Sequence, residues 1–405
     1  MKIRPLTTIE DEYKYKLLSR VCFLYEADEN YQEKLKESDE NTANYTKIGA
    51  FDDDDNLLAG LYIIPYNMYF DGKPQKMAGI QGVITAPEAR ASGIMGKIMQ
   101  ECLAKMKNEG YIFSALYPFS YAYYRKFGYE VAHKLFNATI PLQELEIYPF
   151  PKGKVQFWQK GDSLDDIKAV YTGFAKRQNY AIVRSDADWN RIMDEDPYIA
   201  KKYTYVHYDL QNIPTSYVKF GIIETDPNED KKMYIDELAW LDKSALHAIL
   251  GFIAKLRPQF YELSWSIPNE IDPYSLFNEA WNIQVSNDSS MMFRIMNIIP
   301  ALESMKAPTE EGGVLIQVKD KSFAENSGLF KVEWSRGKIA VEKSAAATSS
   351  PHMSTSIEAL AQMIIGYSTP SMSANRKDTT INSPHSLPIL NTLFPIKNRY
   401  IWEKF

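Results

Sequence analysis

The chain reads as an α+β protein in which one order of elements occurs twice and a third unit follows. Three observations lead there. Between residues 45 and 116, strand-like runs return on one another, pass through a glycine turn into an amphipathic helix, and end in a further strand. The same order of meander, helix and strand comes again between residues 203 and 267. Beyond residue 290, short strand-like runs at 313–318, 328–334 and 338–342 precede a helical run at 357–365. A chain of 405 residues is too long for one ordinary core, so two or three domains are expected. The boundaries are placed at 1–150, 151–289 and 290–405.

Each element has its own local reason. Residues 15–25 form an apolar helix-period run. Residues 45–51 and 57–70 read as strands around the turn Asp52 to Asn56. Asp71-Gly72 is a hairpin signal, because tight hairpins need positive φ. The chain returns along 77–85 and enters a helix from Ile94, with Ile98, Met99, Cys102, Leu103 and Met106 on the same face. Gly110 stops it and 111–116 is the next strand. Ser120 is an N-cap for a short aromatic helix, 121–127, that ends at Gly128. In the second unit, Ser163 to Asp166 resembles a capping box and opens a helix through Ile167, Val170, Tyr171 and Phe174. Strand-like runs at 203–208, 215–223 and 232–240 lead to a helix with Leu246, Ile249, Leu250 and Ile253, then to 260–267. The polar stretches 345–356 and 368–384 read as loops.

The segment Val83-Ile-Thr-Ala-Pro-Glu-Ala-Arg90-Ala-Ser-Gly93-Ile-Met-Gly96 carries the most chemistry. It joins a strand to a helix. The first N–H groups of a helix lack internal partners and carry the positive end of the dipole. Gly93 lets an anion approach and Arg90 adds charge, so the loop suits a pyrophosphate. An ordinary strand-to-helix turn has the same local sequence pattern. The corresponding link of the second unit, Leu-Asp-Lys-Ser after Trp240, has neither glycine nor arginine.

On these residues the chain resembles the GNAT family of acyl-CoA-dependent N-acetyltransferases. Arg90 and Gly93 match its Arg/Gln-x-x-Gly-x-Gly/Ala motif, whereas Met95 stands where a small residue is usual and Gly96 follows one place later. That departure is similar to the narrower Eis (enhanced intracellular survival) group. So are Tyr124-Arg-Lys-Phe-Gly-Tyr129, Met291-Met-Phe-Arg-Ile-Met296 with Ala301-Leu-Glu303, and a chain of this length with phenylalanine last. The resemblance spans nearly the whole chain. It implies two GNAT-like domains, the second without a phosphate loop, and a sterol-carrier-protein-like third domain. An unrelated α+β second domain with the same element order is the alternative.

The resemblance also assigns roles. Acetyl-CoA is the implied co-substrate, with no metal. Val83, Ile84 and Thr85 would line its pantetheine arm, and the Val83 N–H would polarise the thioester. Arg90, Ala91, Ser92, Gly93, Ile94, Met95 and Gly96 would hold the pyrophosphate, and Phe119 and Ser120 complete the cofactor set. Tyr124 is the candidate acid, since a phenol with pKa near ~10 stays protonated at neutral pH. Tyr121, Tyr123 and Tyr129 compete for that role, and core packing is the bland reading of each. The α-carboxylate of Phe405 is the candidate partner of the amine, against a tail merely docked in the core. Glu26, Asp28 and Glu29 would favour a cationic acceptor such as an aminoglycoside or polyamine, against a solvated loop. The alternatives are protein lysine acetylation and a non-catalytic acyl-CoA or lipid-binding protein. A homo-oligomer, hexameric by resemblance, is expected.

Composition excludes several classes. Hydrophobic residues make up 45% and charged residues 24%, as in a globular protein. Net charge is −6 with no basic stripe, which argues against nucleic acid. The 27 tyrosines suit half-polar pockets and subunit interfaces. The start, Met1-Lys-Ile-Arg-Pro5, lacks the apolar stretch of a signal peptide, and no run is long enough to cross a bilayer. Cys22 and Cys102 make no disulfide framework and read as reduced core thiols, so a cytoplasmic protein is expected. The five histidines show no ligand spacing, and Asp52 to Asp55 reads as an exposed turn rather than a metal cluster. No Gly-x-Ser-x-Gly elbow is present.

Overall fold

The structure, a computed structural model, describes residues 1–25, 33, 44–223, 231–288, 291–344 and 350–405. Glu26, Asp28 and Glu29 lie outside those residues. The first sheet begins with β1 (Lys2–Pro5), β2 (Thr46–Phe51), β3 (Leu57–Phe70), β4 (Lys73–Thr85), β5 (Phe113–Leu116) and β6 (Glu130–Val131). β1 to β4 pair antiparallel in sequence order, while β4 and β5 run parallel. The hairpin between β3 and β4 turns at Asp71 and Gly72, both at positive φ.

The helix Ile94–Asn108 covers this sheet. Its expected face is buried: Ile94, Ile98, Met99, Cys102, Leu103 and Met106, with Met95 added. Each large apolar side chain so buried contributes roughly 1.5–3 kcal/mol. The N-terminal helix runs Ile9–Phe23, starting earlier than the apolar pattern suggested. A capping box sets that start, with Thr8 accepting from the Asp11 amide and Asp11 returning the bond. Arg4 grips both Asp11 carboxylate oxygens at 2.8 Å, which holds that carboxyl well below the usual range.

The second sheet contains β7 (Leu135–Pro141), β8 (Lys154–Trp158), β9 (Lys202–Tyr208), β10 (Pro214–Ile223), β11 (Lys232–Trp240), β12 (Glu262–Ile267) and β13 (Gln284–Asp288). Its spatial order is β13-β7-β12-β11-β10-β9-β8, with β11 and β12 parallel. The helices Asp165–Ala175 and Lys243–Ala254 pack into its core. β14 (Met292–Ile295) then returns to the first sheet and lies between β5 and β6. The methionine-rich segment 291–296, which the boundary at 290 assigned to the third unit, thus holds a buried strand of the first sheet.

The third sheet holds β15 (Gly312–Lys319), β16 (Gly328–Ser335), β17 (Lys338–Ser344), β18 (Met353–Ser356) and β19 (Thr379–Ile381). The helix Ile357–Ile364 packs in the core between this sheet and the first. The two stretches read as loops therefore need correction, because β18 and β19 lie within them. Serine and threonine hid the strands: Thr355 and Thr379 face each other in the interior and join their hydroxyls at 2.9 Å. The acidic run Asp52 to Asp55 sits in the β2–β3 turn, with Asp55 paired to Arg4 and Lys14.

Candidate functional site

The site starts where β4 parts from β5 and its ladder with β3 is interrupted. On one edge, parallel pairing with β5 ends at Ile80 opposite Leu116. On the other, Tyr62 faces Gln81 and Gly60 faces Ile84, so Gly82 and Val83 together oppose Leu61. This is a β-bulge, and Gly82 takes a φ of 61° within it. Bulges bend a strand and re-aim its groups, and this one opens a wedge between β4 and β5. The Tyr15 hydroxyl donates to the Gly82 carbonyl from the N-terminal helix. Ile84 is buried behind the wedge, while Val83 and Thr85 are half-buried along it.

Past a single 3₁₀ turn, Pro87–Ala89, the chain enters the helix Ile94–Asn108 through Gly93, whose φ is 83°. No side chain among the described residues caps this helix. Its first internal bond is from the Lys97 amide to the Gly93 carbonyl at 3.2 Å, so the preceding amides point outward. A methyl group added at Gly93 or Gly96 would meet no atom within 4 Å. Ser92 Oγ donates to the Ala89 carbonyl at 2.6 Å, and the exposed Arg90 Nε donates to the Thr85 carbonyl at 3.4 Å. Ala91 has a left-handed φ of 62°. Ile94 and Met95 turn their side chains into the core and offer only backbone to the loop. A bulky residue at position 95 therefore leaves the helix start open.

The short helix Tyr121–Arg125 follows β5, with Ser120 Oγ accepting from the Tyr123 amide at 3.3 Å. Phe119 is exposed and packs on Tyr123 and Tyr124. The four tyrosines in reach separate by environment. Tyr129 is in the core with its hydroxyl 2.7 Å from Ser114 Oγ. The Tyr123 hydroxyl is buried and has no partner among the described residues, and Tyr121 is exposed. Tyr124 has a buried ring, makes no hydroxyl bond to a described residue, and lines a cavity with Gly82 and Val83. Burial pushes its phenol well above the usual tyrosine range.

That cavity measures about 520 Å³, and Tyr15, Tyr62, Tyr117, Phe405, Lys16 and Lys47 are among its other walls. A larger one of about 1190 Å³ lies against the second sheet. Gln81, Tyr117 and Phe405 border both. The Phe405 ring rests between Tyr66 and Tyr117, at 5.3 and 5.4 Å between centroids. The tail leading to it is fixed. Tyr400 donates to the Ser266 carbonyl at 2.8 Å, Glu403 meets Arg184 at 2.7 Å, and Tyr117 donates to the Glu403 carbonyl at 2.9 Å. Sequence reasoning missed the second sheet's share of the larger cavity, above all Asp236, Asn137 and Asp288. Charged residues inside strand-like runs, as at Asp236, were the available signal.

Residues 2–132 match the acetyltransferase (GNAT) domain family, and 181–295 match a second acetyltransferase (GNAT) domain model. Residues 299–402 match the sterol carrier protein domain. The chain belongs to the GNAT acetyltransferases, with two such domains followed by a sterol carrier protein domain. Solved structures share the whole architecture. A probable N-acyltransferase from Enterococcus faecalis is 22% identical with a TM-score of 0.85, covering 100% of this chain and 99% of that one. A GCN5-related N-acetyltransferase from Anabaena variabilis is 22% identical with a TM-score of 0.84, and Eis1 from Mycobacterium abscessus 18% with 0.81; both alignments cover 100% of each chain. No curated protein matches the chain by sequence. The GNAT fold binds acyl-CoA, and two features here fit that group: an uncapped helix start with open space over Gly93 and Gly96, and a wedge in β4 beside it. No group of three or more possible metal ligands and no helix able to cross a membrane occurs among the described residues.

Proposed function

We propose that this enzyme is an acetyl-CoA-dependent N-acetyltransferase acting on a cationic small amine of aminoglycoside-like or polyamine-like kind. One observation carries the reading: the bulge residues Gly82 and Val83, Tyr124 and Phe405 border one cavity, beside an open helix start. Acetyl-CoA, when bound, supplies a thioester carbonyl for attack and a thiolate as leaving group. The amides of residues 91–96, with Arg90, hold the pyrophosphate by charge and dipole. The edge of Val83, Ile84 and Thr85 takes the pantetheine arm, and the Val83 N–H donates to the carbonyl oxygen as it gains charge. Phe119 and Ser120 flank the far side. Tyr124 keeps its proton at neutral pH and gives it to the leaving sulfur. The α-carboxylate of Phe405 orients the incoming amine, which has given one proton to solvent; as the N–C bond forms and the C–S bond breaks, the proton released from nitrogen restores the one Tyr124 gives to sulfur.

By the family resemblance Glu26, Asp28 and Glu29 would favour a cationic acceptor, and Asp236 and Asp288 bring negative charge to the larger cavity. The protein works in the cytoplasm as a homo-oligomer, hexameric by its resemblance to Eis. A solution mass near 46.5 kDa by light scattering would remove the oligomer. The test of function is coenzyme release from acetyl-CoA over a panel of aminoglycosides, polyamines and lysine peptides. Turnover confined to the first two classes supports the reading. Preference for lysine peptides moves the acceptor to protein. Tight acetyl-CoA binding without turnover on any amine leaves a non-catalytic binder.

A further inference from the structure

Tyr15 is the one side chain of the N-terminal helix bonded to the β4 bulge peptide among the described residues. It donates its hydroxyl to the Gly82 carbonyl. That carbonyl and the Val83 N–H belong to the same trans peptide, so they point in opposite directions. A donor on the Gly82 oxygen thus holds the plane of the unit whose N–H faces away from Tyr15. It also polarises that unit, because hydrogen bonds in series strengthen one another. Neither effect requires Tyr15 to approach a substrate.

The donor is itself held. Its ring is buried, 3% exposed, and stacks on Tyr62 at 4.3 Å. Its helix is pinned at the start by the Thr8–Asp11 box and Arg4, and along its length by Glu12 on Lys47 at 2.6 Å. Near its end the Cys22 thiol reaches the Thr85 carbonyl at 3.4 Å, beyond the bulge on the same strand. A methyl group at Gly82 would run into the Tyr15 hydroxyl, so the small residue and the donor fit one another. Burial keeps the phenol protonated, the state in which it donates.

We infer that Tyr15 is a positioning residue for acyl transfer, fixing the Gly82–Val83 peptide so that the Val83 N–H meets the developing charge. The inference rests on the acetyl-transfer reading above. Its test is Tyr15→Phe, which keeps the ring and removes one hydroxyl. Turnover should fall about tenfold, a part of the ~10²–10³-fold lost with a whole oxyanion donor. Coenzyme A affinity and the KM for acetyl-CoA should hold.

A second readout needs no activity. Labelling glycine carbonyl carbons and valine nitrogens marks only Gly82–Val83 and Gly313–Val314 in this sequence. The amide signal of Val83 should move in Tyr15→Phe while that of Val314 stays. An unmoved Val83 signal, or a folded Tyr15→Phe with wild-type turnover, overturns the positioning role and leaves acetyl transfer standing. A wild-type protein that turns over no amine removes both, and does so before any variant is made.

Discussion

The two acetyltransferase domains keep the same strand geometry and differ at what fills it. In the second, β11 runs parallel to β12 only as far as Tyr234 opposite Ser264. It also carries a bulge, since Lys219 faces Glu237 and Phe220 faces Ile235, leaving Asp236 extra. This mirrors the β4 bulge at Gly82 and Val83. The helix that follows is another matter. Lys243–Ala254 starts at Asp242, whose side chain accepts from the Ala245 amide at 2.9 Å, so a carboxylate already occupies the anion position. The parted strands are occupied too, with Tyr400 bonded to the Ser266 carbonyl beyond the last β11–β12 pair. At the bulge, Glu237 is tied to Tyr217 and Arg184. The lesson is that a wedge between strands is inherited with the fold, whereas a coenzyme site also needs an empty helix start.

The tail links the two halves, and it yields the largest expected effect. Tyr400 and Trp402 pack on the second domain, while Phe405 ends between Tyr66 and Tyr117 of the first. Adding a few residues after Phe405 would replace its carboxylate by a neutral amide. Amine acetylation should drop at least ~10²-fold, the scale of a lost charge partner. Acetyl-CoA affinity should persist. Full activity in a C-terminally extended protein would withdraw the carboxylate from the mechanism.

Tyrosines after the last parallel strand offer a second contrast. Tyr124 lies buried on the first cavity, whereas Tyr274, in the short turn Pro273–Ser275 after β12, is 52% exposed. Tyr124→Phe should lower turnover about 10²-fold with little change in acetyl-CoA binding. Tyr274→Phe should change neither. Equal losses from the two variants would end the distinction between an active and an inactive half.

How much of this could be read from the sequence depends on the range of the forces involved. Local patterns were legible. Asp71-Gly72 gave the hairpin, the 3.6-residue period gave the buried face of Ile94–Asn108, and short strand-like runs gave β15 to β17. The glycine turn could be singled out by its place between a strand and a helix, and Tyr124 by the resemblance of its segment to the family. Long-range assembly was not legible. Nothing near Met292 to Ile295 indicates that this strand slots between β5 and β6, 160 residues or more earlier in the chain. Nor does the run around Asp236 show that it walls a cavity with Phe405. The Tyr15–Gly82 bond spans 67 positions and joins two elements that separate patterns describe well.

Gly93→Asp puts at the first helix start the residue type the second domain carries at Asp242. Asp tolerates the left-handed φ of 83° better than most side chains, so the helix should still form. The space over Gly93 is open to a Cβ, so the carboxylate can turn to the helix start, take the anion position there and repel phosphate. Coenzyme A affinity should fall tenfold or more, about 1.4 kcal/mol. Calorimetric titration of the folded variant checks this, and an unchanged affinity would show that the loop does not seat the pyrophosphate.

The smallest effect comes from the reverse change. Asp242→Ala removes a cap whose loss costs about 1 kcal/mol, through the unsatisfied Ala245 amide at a helix whose next turns are packed in the core. Urea unfolding should register that loss. Coenzyme A stoichiometry should stay at one per chain, because clearing the anion position does not clear the wedge. Tyr400 would still hold the Ser266 carbonyl, and Arg184 would still hold Glu237 and Glu403 beside the bulge. A second coenzyme A bound by Asp242→Ala would mean that the acidic cap alone silenced the second domain. One coenzyme A per chain, with stability lowered, would place the difference in the helix start and the occupied strands together.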